Sequence, residues 1–351
     1  MVKYIIKRLL LSVLIIFGVS VILYVLLRCV PGDYVEQKFT ANPSVENPQE
    51  RLEQMRALYG LDSSIIGGYI KWMFGDWWMP QNWFYEGSFW GGMKLETHGA
   101  ITFDFGNSFK YEEAVTKVIS DHMWISFILT LLSLVIYYPL AVYLGTRAAV
   151  RQYGAFDYAT TVLTMVGISF PTFFFSALVV KVFAYDLGWF DSALGLNSAG
   201  LLNPTPWEYF LDSAWHLILP IFVTVVLSIG SIMRYTRTNM LEVLNADYIR
   251  TARAKGLSER SVIYKHAFKN TMIPMVTMLA GLLPGLFGGS MILEQFFGID
   301  GIGLIGYTAM NEGDIPLVMG YNMFLAVLTV LGMLLTDIMY VLVDPRVQLT
   351  K

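Results

Sequence analysis

The ionisable residues with the most informative spacing lie in a polar stretch that begins at Asp247. The pattern predicts a short helix over Asp247–Lys255. Asp247 near the first turn suits the helix dipole, and Gly256 suits the position where a helix ends. Arg250 lies on the exposed part of this predicted helix, where it can pair with acidic groups of another surface. We therefore predict that this stretch recognises another protein surface.

Small residues in the same stretch strengthen that prediction. Ala252 and Gly256 are four residues apart and have almost no side chain, so we expect a neighbouring surface to approach the backbone closely on this side. Arg253 lies on the adjoining stripe with Arg250. A short exposed helix of this kind can transmit force from a soluble partner.

No arrangement of residues in the sequence predicts catalysis. The chain lacks a Gly-x-x-x-x-Gly-Lys-Ser/Thr phosphate loop, a His-Glu-x-x-His pair and a Gly-x-Ser-x-Gly turn. Cys29 is the single cysteine, and His122 and His216 have no second ligand at metal spacing. We therefore expect no enzymatic activity and no bound cofactor or metal. Asp337, within the last apolar stretch, is left open between a structural hydrogen bond and a role in gating.

Long apolar stretches must position this polar segment. Six of them, each at least 19 residues long, contain no Asp, Glu, Lys or Arg, and a helix of that length can cross a bilayer. They are Leu9–Leu27, Met123–Thr146, Tyr158–Val180, Ser213–Met233, Asn270–Leu293 and Ile315–Thr336. With 55% hydrophobic residues and a mean hydropathy of +0.54, the chain is predicted to be an all-α polytopic membrane protein.

The distribution of cations predicts the orientation. With the N-terminus inside, fifteen Lys and Arg residues lie on inner segments, eight of them between Arg234 and Lys269. The two short outer loops, Lys181–Asp212 and Glu294–Asp314, contain Lys181 alone. Because short cytoplasmic loops carry an excess of Lys and Arg, we expect both termini in the cytoplasm.

The chain is predicted to divide into three parts. Residues 1–30 form a retained first transmembrane helix, residues 31–122 an extracytoplasmic segment, and residues 123–351 a five-helix core that includes the cytoplasmic loop 234–272. The outer segment is too long for an ordinary loop and should have structure of its own, including a short polar helix over Pro48–Gly60.

Aromatic residues are dense in the outer segment, with ten between Tyr69 and Trp90. Mixed with glycines, they indicate a sheet-like interface at headgroup level, packing of the segment on itself, or a surface for a partner. The candidate residues for an outer partner surface are Trp77, Trp78, Trp83 and Trp90.

Around the predicted short helix, the sequence resembles the EAA motif in permease subunits of ATP-binding-cassette (ABC) importers, in particular the dipeptide/oligopeptide/nickel branch. The matching residues are Tyr248, Arg250, Thr251-Ala252-Arg253-Ala254-Lys255-Gly256-Leu257, His266, Asn270 and Pro274. The resemblance covers most of the chain. Further matches are Val30-Pro31-Gly32-Asp33, Gly167-Ile168-Ser169-Phe170-Pro171-Thr172-Phe173, His216-Leu217-Ile218-Leu219-Pro220 and Asp344-Pro345-Arg346.

The resemblance implies a type I importer permease with six transmembrane helices, in a bacterial or archaeal cytoplasmic membrane. It implies a homologous second permease, two cytoplasmic ATPases that hold ATP and Mg, and an external substrate-binding protein, with no nucleic acid. The ATPase-docking residues would be Asp247, Tyr248, Arg250, Thr251, Ala252, Arg253, Ala254, Lys255, Gly256 and Leu257. The implied cargo is peptide; nickel or another small solute is the alternative, and a channel or intramembrane enzyme is a more distant one.

Two regions depart from the family pattern. A Pro-Gly-Leu-Gly expected before the last outer loop is replaced by Ile299-Asp300-Gly301-Ile302-Gly303, which we expect to alter a turn. The aromatic stretch near Ile65–Ile101 resembles an insertion, so the family implies nothing about its role.

Overall fold

The structure is a computed structural model that describes residues 2–29, 53, 56, 61–85, 87–94, 96–190, 195–198, 204–282 and 285–343, with the backbone alone at residues 2–5, 280 and 340–343. The predicted helix Pro48–Gly60 lies almost entirely outside these residues. The chain forms two compact units. The first comprises Met1–Trp124 and Ile305–Val330, and the second Ile125–Leu304 and Leu331–Lys351.

Helices dominate the described residues. In chain order they are α1 Val2–Cys29, α2 Ile65–Phe74, α3 Val115–Val150, α4 Ala155–Ser169, α5 Thr172–Val180, α6 Pro206–Leu244, α7 Asp247–Ala254, α8 Glu259–Ser261, α9 Phe268–Leu282, α10 Gly285–Gly288, α11 Met291–Phe297, α12 Ile302–Glu312 and α13 Ile315–Val343. Short 3₁₀ turns occupy Gln81–Trp83 and Ala100–Thr102, and π-helical turns occupy Lys181–Asp186 and Val262–Ala267.

Several of these helices are long and apolar enough to cross a membrane. Among the described residues they are Ile6–Cys29, Val115–Val150, Pro206–Leu244 and Ile315–Met339, and the bent pair Ala155–Ser169 with Thr172–Asp186 makes a fifth if it is one span. The all-helical, polytopic character predicted from the sequence is confirmed.

The predicted count of six spans is not confirmed among the described residues. The third predicted stretch bends by 101° between α4 and α5. Phe170, at the bend, has extended backbone because Pro171 follows it and disfavours the helical conformation. The fifth stretch, Asn270–Leu293, is divided among α9, α10 and α11, with Gly289 at φ +68 before α11.

The described residues between α1 and α3 have a largely irregular fold organised by buried polar groups. Lys71 of α2 donates to the carbonyls of Trp90 (3.0 Å) and Met93 (3.2 Å). Asp76, fully buried, accepts a bond from the Thr97 amide at 2.8 Å. The one extended pairing in the described residues is an isolated antiparallel bridge outside the aromatic stretch, so the sheet-like alternative for this region is wrong.

The second unit contains two hydrophobic clusters along its long helices. In one, Tyr138 of α3 and Met233 of α6 pack with Met275 of α9, and the Tyr138 hydroxyl donates to the Met275 carbonyl at 2.5 Å. In the other, Leu129 of α3 packs with Leu293 of α11. Most of the remaining apolar surface of these helices is exposed in the chain by itself, as expected for a protein covered by lipid and partner subunits.

Candidate docking surface

The predicted short helix is present as α7, and its end matches the sequence pattern to within one residue. Asp247 lies in the first turn, and Lys255 is the C-cap. Gly256 follows with φ +76, a conformation that costs a side-chain-bearing residue energy, and its amide donates to the Arg253 carbonyl. Ser258 then caps the next helical turn. The chain therefore turns immediately after α7 and continues into α8.

A small apolar cluster, the α7 cluster, holds one side of α7 against its own chain. Its members are Ala149, Met240, Ile249, Ala252, Val262, Ile263 and Ala267. Ile249 is fully buried and Ala252 nearly so. Since residues three apart share a helix face, these two side chains define the inner side of α7.

This corrects one part of the sequence interpretation. The expectation that Ala252 presents a small-residue face to a partner is wrong, because its methyl group packs inside the α7 cluster. Gly256 is not on the same helical face; it lies beyond the C-cap, and a Cβ placed there would have no atom within 4 Å. The open space is therefore at the turn after α7.

The other predicted docking residues are exposed. They are Asp247, Tyr248, Arg250, Thr251, Arg253, Ala254, Lys255, Gly256 and Leu257, and we call them the α7 outer surface. Arg250 has a long ion pair of 3.7 Å with Asp247, both strongly exposed. The surface therefore combines cations with the apolar side chains of Tyr248 and Leu257.

Arg253 differs from Arg250 because its partner in the chain is held by hydrogen bonds rather than by a long ion pair. Its guanidinium makes a bidentate pair with Glu259, at 2.7 and 3.2 Å. The hydrogen bond from Arg253 holds the pKa of the Glu259 carboxyl below its usual range, and the same bond raises the pKa of Arg253. This pair joins the end of α7 to α8 and stabilises the turn at Gly256.

A second arginine pair, which the sequence interpretation missed, lies between α4 and α6. Arg237 binds Asp157 with both nitrogens, at 2.6 and 2.7 Å, and Asp157 is 3% exposed. Asp157 also accepts a bond from the Tyr153 amide. The available signal was two opposite charges just outside two neighbouring apolar stretches. Through this pair, the segment of α6 that leads to α7 is attached to α4.

Glu294 is another buried carboxylate that the sequence interpretation did not single out. It accepts hydrogen bonds from Ser126 Oγ (2.7 Å), the Ser290 amide (3.0 Å) and the Leu304 amide (2.8 Å). The Cβ of any larger residue at Gly301 would collide with it. Gly301 and Gly303, in the segment that departs from the family pattern, thus fit around this carboxylate.

The four candidate tryptophans of the outer segment have different environments. Trp77 and Trp78 are exposed, and Trp77 stacks on His98. Trp83 is exposed and stacks on Trp90, which is half-buried and whose carbonyl receives the Lys71 bond. Trp77, Trp78 and Trp83 therefore form the accessible part of the predicted surface, whereas Trp90 belongs to the local fold.

Comparison with known proteins identifies the family of the chain. The model of the binding-protein-dependent transport system inner membrane component matches residues 138–349, and that of its N-terminal region matches residues 1–130. The chain belongs to this family. It is therefore a membrane permease subunit of an ABC importer, and it functions in a complex with other subunits.

The family assignment is supported by similar proteins along the whole chain. The oligopeptide transport system permease protein AppB of Bacillus subtilis is 33% identical over 349 residues, which cover 99% of this chain and 100% of that protein. The dipeptide transport system permease protein DppB of the same organism is 32% identical over 352 residues, covering 100% of this chain and 99% of that protein. The resemblance inferred from the sequence is thus confirmed.

Proposed function

We propose that this permease subunit forms half of a peptide translocation pathway and that the α7 outer surface docks a cytoplasmic ATPase. The peptide cargo is supported by the names of AppB and DppB, which are oligopeptide and dipeptide permeases. Docking is supported by one observation above all. α7 is exposed on one side, while Ile249 and Ala252 hold its other side in a cluster with Met240 of α6 and with residues of the π-helical turn Val262–Ala267.

This arrangement suits transmission of force. We expect a partner that moves α7 to displace Met240 of α6 and Val262 as well, because these residues share one buried apolar cluster with Ile249 and Ala252. Close-packed interiors transmit displacement since they contain little free volume. The Asp157–Arg237 pair then carries the displacement of α6 to α4. ATP-driven closure of the ATPases would in this way change the access of the pathway.

The proposed complex contains a homologous second permease, two ATPases that bind ATP and Mg, and an extracytoplasmic substrate-binding protein. We place the chain in a bacterial or archaeal cytoplasmic membrane with six spans, both termini in the cytoplasm and residues 31–122 outside. The charge of the segment from Arg234 to Lys269, with eight cations and three acidic residues, favours a cytoplasmic position for α7. No catalytic role is proposed for this chain.

Docking can be tested at Ala254, which is exposed on α7 and lies outside the α7 cluster. Gly256 is a poorer test position because any side chain there strains the backbone. We expect Ala254→Trp to abolish co-purification of the ATPases and uptake of labelled peptide, with normal membrane insertion. Gln152→Trp, at an exposed turn between α3 and α4, is the matched control and should retain both.

Retention of ATPase binding and uptake by Ala254→Trp would contradict docking at α7. Equal loss of ATPase binding and uptake in both variants would show that a large side chain on the cytoplasmic side impairs the transporter wherever it is placed. The cargo is tested separately with the unmodified complex: uptake of nickel ions in place of di- or oligopeptides would favour the alternative solute and leave the docking proposal intact.

For the outer segment, we propose that Trp77, Trp78 and Trp83 contribute to the surface met by the substrate-binding protein. Exposed tryptophans contribute strongly to protein interfaces once they are desolvated. Trp77→Ala with Trp78→Ala should reduce the stimulation of ATP hydrolysis by the binding protein and leave basal hydrolysis unchanged. Unchanged stimulation would contradict this role and leave contact with the membrane surface as the alternative.

A further inference from the structure

A short apolar helix of the outer segment lies beside a membrane span. α2, Ile65–Phe74, packs against α1 through Tyr24, whose ring is 5.5 Å from that of Tyr69 and 6.1 Å from that of Trp72. Gly68 makes this approach possible, because a Cβ at that position would collide with the Tyr24 hydroxyl. The Arg28 guanidinium also donates to the Ser63 carbonyl at 2.7 Å, just before α2 begins.

The contacts of Tyr69 indicate the depth of α2 relative to α1. The Tyr69 hydroxyl is 2.8 Å from Ser20 Oγ, and its ring meets Phe17 edge-on. Ser20 is seven residues before Leu27, the last residue of the charge-free stretch, which corresponds to about 10 Å along the helix. Half of the hydrocarbon core is about 15 Å thick, so Tyr69 reaches below the headgroup level.

Lys71 lies on the side of α2 opposite to Tyr69. It is two residues after Tyr69 and therefore about 200° round the helix. Its ammonium group is buried and bonded to the carbonyls of Trp90 and Met93. The only charge of α2 is thus turned away from the side that reaches into the apolar part of α1 and is satisfied by the outer segment itself.

Between these two sides, α2 has an apolar stripe that the described residues leave largely exposed. Ile66 is 65% exposed and Phe74 is 43% exposed, and Ile70, which is partly buried, lies between them at the same four-residue spacing. α1 also exposes apolar side chains, among them Ile22, which is 60% exposed. Water on such a stripe would be unfavourable by about 25 cal/mol for each Å² of apolar surface.

We propose that α2 is an interfacial membrane helix and that Ile66, Ile70 and Phe74 contact lipid acyl chains in the leaflet that contains the Cys29 end of α1. An interfacial helix typically places its apolar face about 5–10 Å below the headgroups, which agrees with the level set by Tyr69 and Ser20. The outer segment is in this way attached to the bilayer at a further point, besides the two candidate spans α1 and α3 that flank it in the chain.

Site-directed spin labelling separates lipid, water and protein as the occupants of this stripe. A nitroxide is attached to Ile66→Cys or Phe74→Cys in a Cys29→Ser background, with the chain assembled in its transporter in nanodiscs and the other subunits free of cysteine. Oxygen concentrates in lipid and a neutral nickel chelate in water. Ile22→Cys provides the lipid reference, and Asn82→Cys, exposed in the 3₁₀ turn, provides the water reference.

We expect high accessibility to oxygen and low accessibility to the chelate at positions 66 and 74, as at position 22. High chelate accessibility, as at position 82, would overturn the proposal in favour of a hydrated surface. Low accessibility to both reagents would overturn it in favour of a protein partner. Gly68→Leu gives a further check, because displacement of α2 from Tyr24 should shift the label at position 66 to a shallower depth; no shift would contradict the role assigned to the α1–α2 contact.

Discussion

Glu294 illustrates how one residue can determine a whole turn. Its carboxylate is 1% exposed and accepts bonds from one hydroxyl and two backbone amides that come from three different parts of the second unit. The Ser126 hydroxyl also accepts the Ile302 amide at 2.9 Å, so the network extends to the start of α12. Glycines at positions 289, 301 and 303 leave the space that the carboxylate occupies.

Replacement of Glu294 should therefore destabilise the second unit strongly. Glu294→Ala leaves one buried and two partly buried donors without this acceptor, and the expected loss is on the order of 3 kcal/mol. Glu294→Gln preserves the shape and one acceptor oxygen, so its loss should be smaller. Thermal unfolding of the detergent-solubilised chain, followed by size-exclusion chromatography, measures both. An unchanged unfolding temperature for Glu294→Ala would contradict the proposed role.

At the scale of elements, two bidentate arginine pairs hold helices in different environments. Arg237–Asp157 joins α6 to α4 with a buried carboxylate, whereas Arg253–Glu259 joins α7 to α8 at the surface. The number of hydrogen bonds is the same in both. Their contributions should differ because the exposed pair is screened by water and the buried carboxylate has no alternative partner in solvent.

Double-mutant cycles test this difference. We expect a coupling energy of about 1–3 kcal/mol for Asp157→Asn with Arg237→Gln. For Arg253→Gln with Glu259→Gln, the exposed pair, it should be about 0.2–1 kcal/mol. The unfolding free energies of the wild type, single and double variants, measured by denaturant titration, give both values. Equal coupling energies would show that burial of Asp157 adds nothing.

The exposed pair also has a predicted pH dependence. Because Arg253 lowers the pKa of folded Glu259, the contribution of the pair is present at neutral pH. It is lost as the pH falls below the usual glutamate pKa of 4.5 and through the lower pKa of the folded state. The difference in unfolding temperature between wild type and Glu259→Gln should therefore vanish at acidic pH. A difference that persists there would contradict the pairing.

At the scale of the whole molecule, the orientation of the chain in the membrane remains a prediction. The predicted topology places the α7 outer surface in the cytoplasm and the tryptophan-rich segment outside, on the basis of cation counts alone. Both regions contain exposed positions that accept a cysteine, and Cys29 is the single native cysteine. The topology is therefore directly measurable.

We expect Ser258→Cys in a Cys29→Ser background to react with a membrane-impermeant maleimide from the cytoplasmic side alone. Asn82→Cys should react from the opposite side alone. Inverted and right-side-out vesicles prepared from the same cells provide the two measurements. Reaction of both positions from one side would contradict the predicted number of spans between them, and exchange of the two sides would reverse the orientation.

Local patterns in the sequence determined the helical character of the chain, the position of α7 and the glycine that follows it. These features depend on interactions within about four residues: apolar runs, the helix dipole and the left-handed conformation that glycine adopts readily. The family resemblance also followed from residues near one another in the chain, and it was confirmed along the whole length.

The tertiary structure decided which side of each element is used. Ala252 and Gly256 are both small residues, yet the Ala252 methyl group packs in the α7 cluster while Gly256 is open to solvent. Asp157 finds Arg237 across 80 residues of chain. The sequence pattern does not predict these contacts, because they depend on how helices distant in sequence approach one another. They also depend on which side chains fill the space between the helices.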